Sequence, residues 1–153
     1  MNTLKWFVTI FTAALMLNIL PVRAADNPLH RLVDGVDIYL GVIPAEMIKG
    51  HPRHHPEGTM HGGIPAGTHY HVMVALFDAK TGKRIDNASI TASIKGAAAE
   101  SRKTLEPMLV SGARTFGNYF TMGGYTRHKR IDLEIEIATD NKIIRTSFEW
   151  SRS

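Results

Sequence analysis

From residue 30 onward, apolar and polar positions alternate with a period of two, and the alternation comes in short runs. In "KRIDLEIEIA" (129–138), Ile131, Leu133, Ile135 and Ile137 fall on one side and Asp132, Glu134 and Glu136 on the other. That pattern predicts a strand with one face in a core and the other in water. "IIRTSFEW", reached through "TDNK", is its predicted hairpin partner. "GVDIYLGVI" (35–43) predicts a first strand. "THYHVMVALFDA" (68–79) predicts a central one, apolar on both faces from Val72 to Phe77. The "KTGK" turn leads to "IDNASITASIK" (85–95), which alternates again after an irregularity near Asn87. "KTLEPMLVS" and "RTFGNYFTM" add two shorter strands separated by Ser-Gly. A helical period is not sustained in this part of the chain; "AEMIKG" or "GAAAESRK" has room for one short turn of helix. The expectation is an all-β fold, an antiparallel β-sandwich of about seven strands.

Residues 1–24 follow a different pattern. A basic start ("MNTLK"), the apolar run "WFVTIFTAALMLNIL" and "PVRA" have the layout of a secretory signal peptide cleaved after Ala24. The apolar run is shorter than the roughly 20 residues of a spanning helix, so no membrane span is expected after cleavage. Residues 25–153 are then a single domain, located in the periplasm, with a His-rich loop at about 44–67 as its one long connection. Without cysteine, the chain has neither disulfide nor thiolate. Lys5 and Arg23 leave with the leader, so 16 basic residues face 14 acidic ones. That balance does not suggest a nucleic acid partner.

The chemistry concentrates in "HPRHHPEGTMHGGIPAGTHYH" (51–71), which holds six of the eight histidines. On a strand, His69, His71 and Met73 share one face, about 7 Å apart per step of two. The preceding loop adds His51, His54, His55, Met60 and His61, with glycines that let it fold back. Imidazole suits copper, zinc or nickel, and thioether sulfur favours Cu(I). These eight residues are the candidate metal ligands, at a place where an ion would sit within reach of water. The same residues also admit a plainer reading. "HPRHHP" reads equally as a solvated loop, His69 and His71 as a strand-end pair satisfied by backbone or water, and Met73 as a core methionine. Met108, Met122 and His128 could approach the same end of the domain; the plainer readings are core packing for the two methionines and a solvated surface for His128. Asn118 and Tyr119 read as structural, with Gly117 allowing a kink.

The second half carries a resemblance. "VMVALFDAKTGKRIDNASITASI", then "LEPMLVSGARTFGNYFTMGG" and "IDLEIEIA", resembles the small exported domains called YtkA-like and FixH-like. The similarity is carried by Asp78, Gly82, Lys83, Ala88, Ile90, Pro107, Met108, Gly117 and Tyr119, over about residues 70–138. It implies an immunoglobulin-like sandwich exposed to the periplasm or cell exterior, in a group where some members handle copper or help assemble metal enzymes. This chain departs from the pattern by having "YTRHKRIDL" where a tryptophan usually precedes the final strand, and by its His-rich loop.

Two classes of function follow. One is a periplasmic metal-binding protein that binds or delivers copper through a His/Met site, with an envelope protein receiving the ion. The other is a metal-independent immunoglobulin-like interaction module of the cell envelope. An enzyme is not expected. The disulfide of a copper/zinc dismutase cannot form, and the predicted first mature residue is Ala25 rather than the histidine of a copper monooxygenase. No Ser/His/Asp set or phosphate-cradling glycine loop is recognisable.

Overall fold

The computed structural model describes residues 27–49, 63–65, 68–95, 102–122 and 131–151. They form eight strands and one short helix: β1 (His30–Val33), β2 (Val36–Pro44), α1 (Ala45–Lys49), β3 (His69–Asp78), β4 (Ser89–Ile94), β5 (Lys103–Val110), β6 (Ala113–Thr121), β7 (Ile131–Ala138) and β8 (Ile143–Trp150). The all-β expectation stands. Every pairing is antiparallel, and the strands join in one sheet of order β1-β2-β3-β6-β5-β4-β7-β8. Among the described residues, no helix is long and apolar enough to cross a membrane.

Continuity depends on β5, which changes partner along its length. Lys103, Thr104 and Leu105 pair with β4, whereas Glu106 to Val110 pair with β6. Backbone groups left over at such a switch need other partners. Lys103 Nζ donates to the Tyr119 carbonyl (2.8 Å) and Asn118 Nδ2 donates to that of Thr104 (2.8 Å). Pro107, which has no N–H to give a ladder, sits just past the switch. The curled sheet brings its two outer strands together. The Arg31 guanidinium lies 5.0 Å from the centre of the Phe148 ring, and Lys142 Nζ donates to the Asp34 carbonyl.

Inside the curl lies the main core. Tyr70, Val72, Val74 and Leu76 of β3 meet Phe116 and Phe120 of β6 and the alternating Leu133, Ile135 and Ile137 of β7. Asp132 and Glu134 are exposed, so the alternation in β7 separates core from water as expected.

β1 adds a strand to those foreseen. Its connection to β2 is Asp34-Gly35, both with positive φ (49° and 74°). Two such residues in succession make a tight hairpin turn whose twist matches the strands. β4 starts at Ser89 rather than near 85, because the preceding residues are engaged elsewhere. Arg84 bridges back to Phe77 and Ile85 N–H donates to the Leu76 carbonyl.

Candidate metal site on the outer face of β3, β5 and β6

Odd-numbered residues of β3 face away from the main core. The register fixes their neighbours: His71 lies opposite Ile43 on β2 and Tyr119 on β6, and Met73 lies opposite Gly41 and Gly117. Cross-strand partners project to the same side. His69, His71 and Met73 therefore share one face, as their spacing predicted. On β5, Glu106 lies opposite Gly117 and Met108 opposite Thr115, which brings both onto this face.

α1 covers part of the face. Its Ala45 and Ile48 pack with Tyr119, Ile43 and Ile64 into a second, smaller apolar cluster. Beside it, the His71 ring lies 4.7 Å from the Tyr119 ring at an interplanar angle of 38°. His71 has no solvent exposure and is the one buried polar side chain of the described residues. A place within reach of water was expected for this imidazole. It is buried instead, between Ile43 and Tyr119, which α1 packs against.

On this face, two candidate donor atoms border the space above Gly117. A Cβ placed on that glycine would lie 2.8 Å from His71 Nε2 and 3.1 Å from Met108 Sδ. An imidazole nitrogen and a thioether sulfur therefore converge on one point above the β6 backbone, in space that only a glycine leaves open.

Met73 turns the other way. Its Cε lies 3.2 Å from where a Cβ on Gly41 would be, so its side chain rests over β2. His69 is half-buried, and its Nε2 shares a 3.1 Å hydrogen bond with Thr121 Oγ1. Met122 joins the main core and does not belong to this face. His51, His54, His55, Met60, His61 and His128 lie outside the described residues. Among the described residues, no three His, Asp or Glu side chains converge. The donors that meet are one nitrogen and one sulfur.

The two residues that reasoning from sequence undervalued are Met108 and Gly117. Met108 looks like core and is 3% exposed, but it is buried on the outer face. Gly117 looks like a kink, yet its φ is not positive and its use is the space above it.

The sheet's other half has a depression of 370 Å³. It is charged rather than metal-binding in character: Arg145 and Arg102 bracket Glu136 at 2.8 and 3.4 Å and neutralise it. It contains no imidazole.

Comparison with protein-family models, with curated proteins and with solved structures finds no match to this chain.

Proposed function

We propose that this chain is an exported, periplasmic copper-binding protein whose ion is held at His71. One observation carries the reading: His71 Nε2 and Met108 Sδ converge within 3.1 Å of a single point above Gly117. A thioether beside the buried imidazole makes the pair suited to copper more than to zinc or nickel. Full burial of His71 favours retention of the ion over rapid exchange. Delivery to an envelope partner would then need the covering residues to open.

A second reading, the metal-independent interaction module, draws on a different feature of the same face. Leu32 and Tyr39 are 62% and 43% exposed, and the β1–β2–β3 register puts them on the side that carries Met73. Titration of the metal-free protein with Cu(I), Cu(II), Zn(II) and Ni(II), beside His71→Gln, separates the two. The copper reading expects one equivalent bound by the parent and lost in the variant. It also expects thermal stabilisation of the parent, about 2.7 kcal/mol at a hundredfold excess over Kd. Weak binding at several places, indifferent to His71, would leave the interaction module.

A further inference from the structure

We propose that the site takes its ion in the monovalent state, and that Met73 joins Met108 and His71 as the third donor. This rests on the copper reading and specifies it. Met73 lies opposite a glycine on each side, Gly41 on β2 and Gly117 on β6. Two neighbouring positions without side chains leave a trough three strands wide, with Met73 in the middle.

The trough is used unequally at its two ends. Over Gly41 it is filled by Met73 itself, whose Cε and Cβ come within 3.2 and 3.7 Å of the missing Cβ position. Over Gly117 it is bounded by His71 Nε2 and Met108 Sδ. Methionine is unbranched with three rotatable bonds, so a change of rotamer carries the Met73 sulfur from the Gly41 end toward the Gly117 end without backbone motion. Met73 is half-buried, whereas His71 is at 0% and Met108 at 3% exposure. Met73 is therefore the donor of the three that an incoming ion meets first. Two thioethers and one imidazole form a soft set, which selects Cu(I) and its congener Ag(I) over Cu(II) or Zn(II). Glu106, opposite Gly117, lies on the same face.

The test uses Ag(I), which is redox-inert, on metal-free protein expressed as the full chain and purified after export. Competition against a chromophoric chelator gives affinities for the parent, Met108→Leu, Met73→Leu and His69→Ala. Loss of a group that only orients a ligand costs 10–100-fold in metal affinity, so each methionine variant should lose at least about tenfold, and His69→Ala much less. In the parent, the methyl NMR signals of Met73 and Met108 should shift on adding Ag(I), and that of Met122 should not. That readout needs no variant to fold. Methyl signals that stay put, or Ag(I) affinity unchanged in both methionine variants, with Cu(II) still bound through His71, would overturn this proposal and leave the copper reading standing. Failure of the parent to bind any of these ions would overturn both.

Discussion

Replacing Gly117 by alanine tests the space above β6 directly. The backbone there tolerates a side chain, since φ is outside the left-handed region. The methyl group would meet His71 Nε2 at 2.8 Å and Met108 Sδ at 3.1 Å, against an optimum of about 3.5–4.0 Å between carbon atoms. Relief requires movement of an imidazole that has no solvent exposure and lies against the Tyr119 ring. Overpacking of this kind costs about 1–3 kcal/mol. Removing a strand glycine returns about 0.5–1 kcal/mol of backbone entropy, so mid-range values leave a net loss of about 1 kcal/mol. In a domain of this size that lowers Tm by about 4 °C. Gly41→Ala is the matched comparison. Its closest contact is the Met73 Cε at 3.2 Å, the free end of a flexible chain, so it should be as stable as the parent or more so by up to about 1 kcal/mol. Thermal unfolding of both metal-free variants by circular dichroism, followed by copper titration, reads both effects. Gly117→Ala should lose stability and copper together. A Gly117→Ala protein as stable as Gly41→Ala, and binding copper as the parent does, would refute the reasoning.

Other outcomes follow from the same contacts. His71→Ala should abolish copper binding, whereas His69→Ala, which loses a partly exposed hydrogen bond to Thr121, should change affinity only slightly; parallel titrations decide. Ile135→Ala, at 1% exposure in the main core, should cost about 2–5 kcal/mol in urea unfolding. Asp78 has its pKa lowered from the ordinary 3.8, first by the Thr81 hydroxyl and then by the Thr81 backbone N–H. A depressed carboxylate stabilises the fold above its unfolded value, and that contribution fades as pH falls below 3.8 toward the folded value. Asp78→Asn should therefore flatten the fall of Tm with pH in that acidic window.

What the sequence revealed depended on the range of the interaction. The period-two alternation of β7 and the shared face of His69, His71 and Met73 are local consequences of strand geometry, and both were legible. Asp34-Gly35 was a local signal too, a dipeptide suited to a two-residue hairpin, but the first strand was expected to begin at Gly35, so β1 was missed. The partner switch in β5 was not legible, because nothing within "KTLEPMLV" says that its two ends pair with different strands. The same holds for the site. Met108 meets His71 only through the registers of β3 with β6 and of β6 with β5. Period two gives His71 a face but cannot say that it is buried there between Ile43 and Tyr119. Gly117 matters through an empty volume, which leaves no trace in composition or periodicity.

The most direct test of the account is X-ray absorption at the copper edge on the 1:1 complex, with Met108→Leu measured alongside. The account predicts nitrogen and sulfur scatterers at about 2.0 and 2.3 Å, with the sulfur contribution reduced in the variant. A shell of nitrogen and oxygen alone, identical in parent and variant, would contradict it.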